Sequence, residues 1–450
     1  MNHNNRYIGC FSVFLFILIA LGSYGLPLYA AEVFGAPGGC VSRQLLHAAE
    51  PAQDGKKTPW IFPLLLDDAN NLQPERITFS GGGELGIFDP SIARDPGTSR
   101  LWMSYSAVDE SQFYDPLIYW GVSIRLAYSD DNGITWQDAG VAVSTFSEHT
   151  VGPLTVTNPA PPIDADSKGI WQSETSTLIY DPAASEAQRW KLLWFQYLHA
   201  DGTSYFLDYS WLAMKAAATP PELAAATAVK LFAGYGLQTD GQNTGAPAYS
   251  PIGGPPAIHL NSDLTQAPPG VDLTDLQTCV FAEPGLHATS SAVYLSVFCA
   301  EVGPTTTHYI EHFRCPSPCD MDNAASWVYL GRILSPVDAA AAAGSDHFQA
   351  PALVEQNTRT FLIVTPVDVT VGNRYDGCRV YEFADIDSGE LMRDGGGQLI
   401  EIQRVDGRAG THQGACAAFS GLQGGIIYSQ FDPADAPETF RIFKSRLNLP

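Results

Sequence analysis

The chain has 450 residues, with 48 acidic and 24 basic side chains and a formal net charge of −24. Such an excess of negative charge repels a phosphate backbone and argues against nucleic acid as a partner. A composition of 45% hydrophobic and 11% aromatic residues, with 41 Gly and 32 Pro, excludes a disordered chain and suits many short strands joined by turns.

Residues 1–30 read as a signal peptide. Arg6 supplies the positive n-region, Ile8 to Leu21 form an apolar h-region too short for a membrane span, and Leu28-Tyr29-Ala30 offer a small-residue cleavage site. The mature chain is therefore expected to be secreted or periplasmic, with no stable membrane span after cleavage. Residues 31–83 form a leader without a clear repeat. Its apolar patches, Pro59 to Leu66 and Arg76 to Phe79, are candidates to complete the last repeat and cover its open edge. Export permits disulfides. With Cys10 in the h-region, seven of the eight cysteines remain, an odd number that leaves at least one without an internal partner. Cys279 and Cys299 flank one predicted hairpin, and Cys315-Pro316-Ser317-Pro318-Cys319 closes a small loop. The latter is only half of a zinc signature, with no matching second pair.

From Asp89 onward one pattern recurs five times: a polar residue opens a strand, a turn follows, and a second apolar strand returns. Asp89-Pro90-Ser91-Ile92 leads to Leu101–Ser106. Glu174–Leu178 leads to Trp190–Tyr197, and Glu283–Leu286 to Val293–Phe298. Gln349–Leu353 leads to Thr360–Val364, and His412–Cys416 to Gly425–Ser429. A third strand and usually a fourth come after, as at Ile310–Arg314 and Trp327–Ile333. Four strands repeated five times predict an all-β fold, a five-bladed β-propeller of four-stranded antiparallel blades over residues 84–450. The openings lie further apart than the roughly 40–50 residues of a compact blade, so loops carry insertions, foremost the Gly- and Pro-rich stretch Gly234 to Leu276. The Ala-rich segment Ala213 to Val229 predicts a short helix with Pro220-Pro221-Glu222 as its start, and a second, Val337 to Ala343, is read as a loop. Ser129-Asp130-Asp131-Asn132-Gly133-Ile134-Thr135-Trp136 matches the Asp-box of sialidases and other propellers. Asp131 is placed to bond turn amides, Gly133 to take a positive φ, and Trp136 to pack beneath the blade. Such a turn lies on the periphery and says little about catalysis.

In a propeller the first strand of each blade lines the central channel, so Asp89, Glu174, Glu283, Gln349 and His412 are expected to converge at one end of it. Glycoside hydrolysis needs two carboxyl groups flanking the scissile bond, and this ring offers three together with a histidine. Trp120 and Trp171 fall in predicted loops where a sugar platform would sit, core packing being the alternative.

The constellation resembles the five-bladed propeller glycoside hydrolases of the arabinanase and xylosidase type. Asp89-Pro90-Ser91-Ile92 is similar to the segment that carries their general base, and Glu283-Pro284-Gly285-Leu286-His287 to the segment that carries the general acid. His412 with Gly414 resembles a last-blade histidine that in those enzymes helps hold a calcium ion. The resemblance implies Asp89 as base, Glu283 as acid, and Glu174 as the residue that orients the acid. It implies Gln349, His412, Trp171 and Trp120 as contacts to an oligo- or polysaccharide. No cofactor is required, with His412 the candidate ligand for a calcium ion in the channel, and a monomer is expected. The family residue matching Glu174 is normally Asp; Asp164 and Asp166 lie just upstream and are alternatives. Two other functions fit the same fold: a non-catalytic glycan-binding or surface-interaction propeller, and a sialidase. The latter needs an arginine triad, whereas Arg94, Arg125, Arg314 and Arg379 lie away from the strand openings.

Overall fold

The structure is a computed structural model that describes residues 75–77, 79–80, 85–114, 119–144, 149–150, 168–200, 206–235, 250–302, 306–369, 374–407, 411–419, 425–432, 440–445, 447 and 449–450. The expected signal peptide, the patch Pro59 to Leu66, Cys10, Cys40, Asp164 and Asp166 lie outside the described residues. Among the described residues no helix is long and apolar enough to cross a membrane.

The chain is all-β. Alternating apolar runs fold into antiparallel meanders, each begun by one strand and continued outward. The first meander runs through Gly86–Arg94, Leu101–Tyr114, Tyr119–Ser129 and Trp136–Val143. The second runs through Lys168–Tyr180, Trp190–Ala200, Phe206–Ala217 and Val229–Ala233. The third takes Cys279–Ala288, Ala292–Glu301, Thr307–Pro316 and Val328–Leu334. The fourth takes His347–Gln356, Arg359–Asp368, Gly377–Asp385 and Glu401–Asp406. The fifth has His412–Phe419, Gly425–Phe431 and Phe440–Lys444, and its outer edge pairs antiparallel with Glu75–Arg76 from the beginning of the described chain.

The five first strands pack against one another in cyclic order, the fifth returning to the first. At that junction Phe440 pairs in parallel with Gly86, so the last and first meanders share one continuous sheet. A Cβ at position 86 would stand 2.6 Å from the Phe440 carbonyl oxygen, and φ there is +136°; only glycine fits. Apolar layers between meanders supply the core. Trp171, Trp194 and Trp211 fill one, with Trp171 and Trp211 4.4 Å apart between ring centroids. Phe281, Phe313, Trp327 and Tyr329 fill another.

The described residues include three disulfides. Cys279 and Cys299, the pair expected across the third hairpin, are bonded with Cα atoms 5.2 Å apart. Cys315 bonds Cys319. Cys378–Cys416 joins the fourth meander to the fifth inner strand, a pairing that sequence spacing does not suggest. In the turn of the first meander, Asp131 accepts from the Ser129 hydroxyl and from the amide and hydroxyl of Thr135, while Ser129 accepts from the Gly133 amide. The Ala-rich stretch read as a loop is instead an α-helix, Pro336–Ala343, started by a capping box between Ser335 and Asp338 and ended by Gly344 in the left-handed conformation. At Pro220 a single 3₁₀ element, Pro220–Ala224, forms in place of the expected helix.

Candidate active site

Each inner strand breaks its hydrogen-bond ladder at one place. The register shifts fall between Phe88 and Ser91, Glu174 and Thr177, Ala282 and Pro284, Gln349 and Ala352, and Gly414 and Ala417. At each shift one non-glycine residue adopts a left-handed backbone: Asp89 at φ 49°, Thr175 at 48°, Glu283 at 52°, Ala350 at 48° and Ala415 at 49°. A bulge re-aims the side chain it carries, and a positive φ outside glycine stores strain at functional places. All five bulged residues line one narrow cavity at the centre of the ring.

This bulge corrects the alignment read from sequence. Asp89 and Glu283 occupy the repeated position. Glu174 and Gln349 lie one residue before it, and His412 lies three before it. Sequence comparison matched the first polar residue of each strand, whereas the bulge decides which residue faces the centre. The cavity therefore receives Thr175, Ala350 and Ala415 from the second, fourth and fifth strands.

Three carboxyl groups gather around this cavity. Asp89 is partly exposed through it but enclosed by protein on most sides; Glu174 and Glu283 are buried. Neutral donors hold them. The Ser106 hydroxyl donates to Asp89 Oδ2 at 3.3 Å, and the Tyr197 hydroxyl to Glu174 Oε1 at 2.8 Å. Glu283 receives the Ala350 amide on Oε2 at 2.7 Å and the Tyr375 hydroxyl on Oε1 at 3.3 Å. Burial is the main reason that all three hold their protons more tightly than an ordinary carboxyl. Asp89 is pushed up to about 8 by burial and then by the charge of Glu283, against bonds from Ser106 and the Thr175 backbone. Glu283 is pushed up to about 7 by burial, its two donors pulling the other way. Glu174 is raised well above the usual range by burial and by Asp89, with Tyr197 opposing. At neutral pH the cluster thus keeps protons and can offer a carboxylic acid beside a carboxylate.

The remaining residues singled out in the sequence lie elsewhere. Gln349 is buried, with Nε2 3.0 Å from Nε2 of His347 and, among the described residues, no partner for its Oε1; it does not line the cavity. Trp171 is on the second inner strand rather than in a loop, and its ring belongs to the apolar layer with Trp194 and Trp211. Trp120 is on the strand Tyr119–Ser129, and its side chain lies outside the described residues. His412 is partly exposed at the start of the fifth inner strand, edge-on to Phe431 at 5.7 Å, and is not part of the cavity wall. Among the described residues His412 belongs to no group of three His, Cys, Asp or Glu close enough to share an ion. Calcium takes about six to eight oxygen ligands, and among the described residues no such set of acidic side chains gathers at His412.

Tyr197, Tyr375, Ser106 and Thr175 are the participants that sequence reading missed. Tyr197 carries a faint signal, since it lies on the strand directly paired with the one that bears Glu174. Tyr375 reaches Glu283 from 92 residues away and leaves no local trace.

No family model and no curated protein matches the chain. Solved structures do resemble it at low identity. A thermostable family-43 glycoside hydrolase is 10% identical, with 81% of this chain and 91% of that chain covered and a TM-score of 0.42. The endo-arabinase from Bacteroides thetaiotaomicron is 12% identical, with coverages of 83% and 97% and a TM-score of 0.39. The β-fructofuranosidase from Schwanniomyces occidentalis is 13% identical, with coverages of 83% and 58% and a TM-score of 0.42. With identities and scores this low, the reading of the site stands on its own residues.

Proposed function

We propose that the protein is an exported five-bladed β-propeller of four-stranded antiparallel blades that hydrolyses a glycosidic bond by acid/base chemistry in its central cavity. In this reading residues 84–450 form the propeller, residues 1–30 direct export, and the leader 31–83 closes the last blade. The three disulfides suit an oxidising compartment. The observation that carries the function is the pair Asp89 and Glu283, two carboxyls on the same bulge of different strands, opening into one cavity and sharing a raised proton affinity.

Asp89 is proposed as the general base, Glu283 as the general acid that protonates the leaving oxygen, and Glu174 as the buried neighbour that orients the acid and supports its raised proton affinity. In the free cavity the hydrogen bonds from Ala350 and Tyr375 favour the charge on Glu283. The roles therefore require the proton to rest on Glu283 once a glycosidic oxygen lies beside it and Asp89 faces the water. The substrate is an oligo- or polysaccharide, and the chain acts as a monomer.

The test is hydrolysis of a panel of unactivated oligosaccharides and aryl glycosides by the wild type and by Glu283→Gln. The variant keeps the shape and removes the proton donor, and its kcat should fall roughly 10²–10⁴-fold on unactivated substrates. Its loss should be smaller on aryl glycosides, whose leaving groups need less protonation. Equal turnover by wild type and variant removes Glu283 from the role of acid. Glycan-array binding with no turnover on any substrate would replace the hydrolase by a glycan-binding propeller.

A further inference from the structure

The three carboxyls share a feature beyond burial: among the described residues no charged partner holds them. Glu283, the proposed acid, faces Asp89, Glu174, the Ala350 amide and the hydroxyl of Tyr375. Of these donors only Tyr375 is a side chain, and it comes from a short segment, Arg374–Tyr375, paired with the edge of the strand Arg359–Asp368. Its ring lies against the fifth inner strand, and its hydroxyl reaches Glu283. There position 414 is glycine, and a Cβ would stand 2.8 Å from the Tyr375 ring and 2.4 Å from the Thr365 methyl. Real Cβ atoms do not approach backbone-anchored neighbours so closely, so a side chain at 414 must displace the ring or the threonine.

We propose that Tyr375 is a positioning residue that holds the Glu283 carboxyl through its phenolic hydroxyl, and that Gly414 preserves the space its ring needs. The inference rests on the acid/base reading for its consequence in catalysis but not for the contact itself. A phenol serves here because it donates without carrying charge. An arginine or lysine in its place would fix Glu283 as a permanent carboxylate and remove the acid. A neutral donor favours the anion weakly, leaving the proton free to move. Burial and the three acids also raise the proton affinity of Tyr375 itself, which keeps it a donor over the working pH range.

Tyr375→Phe removes the hydroxyl and keeps the ring. Infrared difference titration of the carboxyl band, with Glu283→Gln to assign the signal, reads Glu283 without substrate. Loss of a donor to the anion should move the Glu283 midpoint up by about half to one pH unit. The basic limb of the kcat/KM profile should move up with it, with KM less affected than the limb. Gly414→Ala crowds the Thr365 methyl and the Tyr375 ring together; its displacement of the ring should shift the midpoint in the same direction and add nothing in the Tyr375→Phe background. An unchanged midpoint in Tyr375→Phe overturns the proposal, and additive shifts overturn the part assigned to Gly414. A shifted midpoint in a protein that turns over no glycoside upholds the contact and sinks the hydrolase reading alone.

Discussion

At Asp89, chemistry and stability pull in opposite directions. Its carboxyl goes from an ordinary value of 3.8 to about 8 in the folded protein. The native state therefore binds more protons than the unfolded state between those limits, and stability must fall as pH rises through them. Below about pH 4 both states are protonated and the contribution is fully present; above pH 8 it is lost. Glu283, with its rise to about 7, adds a drop over a narrower window. Asp89→Asn cannot ionise, so its denaturation free energy should exceed that of the wild type at pH 8, while the gap should shrink or reverse at pH 4. Urea titrations at the two pH values decide it, and a pH-independent difference between the proteins would show that Asp89 is not held in its protonated form. Both acids were legible in the sequence because each stands beside a proline at the start of an apolar run: Asp89-Pro90 and Glu283-Pro284. Their shared strain was not, because a left-handed backbone at a charged residue is imposed by the ring and not by local preference.

The bulge is the element that turns five strands into a site, and Ala350 isolates its cost. Ala350 has φ 48° and its amide donates to Glu283. A left-handed backbone costs an L-residue roughly 1–2 kcal/mol, while glycine loses about 0.5–1 kcal/mol in chain entropy. Ala350→Gly should consequently change stability by no more than about 1 kcal/mol and leave Glu283 held. Ala350→Val brings a β-branch to the same backbone and should cost about 1–3 kcal/mol, with a fall in activity as the amide withdraws. Denaturant midpoints for the pair measure this, and two equal values would mean that the bulge is not strained. The same bulge explains why Glu174 and Gln349 were aligned with Asp89 and Glu283 in the sequence and fall one residue off them in space: a period of two finds the strand but cannot see one inserted residue. His412, three residues off, was matched on its polarity alone. The helix Pro336–Ala343 was missed for a different reason. Its start signal, Ser335-Pro336-Val337-Asp338, was present, but a run of alanines has no apolar period to set it apart from a loop.

At the scale of the molecule the ring must close, and the described chain closes it with its two ends. Residues Glu75 and Arg76 pair with Lys444 and Phe443 on the outer edge of the fifth meander, which would otherwise expose a row of unpaired backbone groups. The repeat of strands was readable because each meander buries its own apolar period. For this junction the sequence offered two apolar patches, Pro59 to Leu66 and Arg76 to Phe79, and could not choose between them, since a two-residue strand has no period of its own; the pairing uses Arg76 of the second. Ile77 shows what secures it. Its amide donates to the Ile442 carbonyl at 2.9 Å, and its side chain is buried with Tyr105, Trp136 and Ile442, so one residue joins the start of the chain to both the first and the fifth meanders. Ile77→Ala keeps the amide and empties that space, and it should cost about 2–4 kcal/mol, the usual loss for a large aliphatic residue truncated in a core. Ile77→Pro also removes the amide and should cost more. Ile134→Ala is the control: Ile134 is 58% exposed on the turn of the first meander, and its loss should stay within about 0.5 kcal/mol. Denaturant unfolding of the three variants compares them directly. Were Ile77→Ala no more costly than Ile134→Ala, the junction would not depend on this segment, and the direct contacts between the first and fifth meanders, among them Gly86 with Phe440 and the Asp89 amide with the Ser429 hydroxyl, would hold the ring without it.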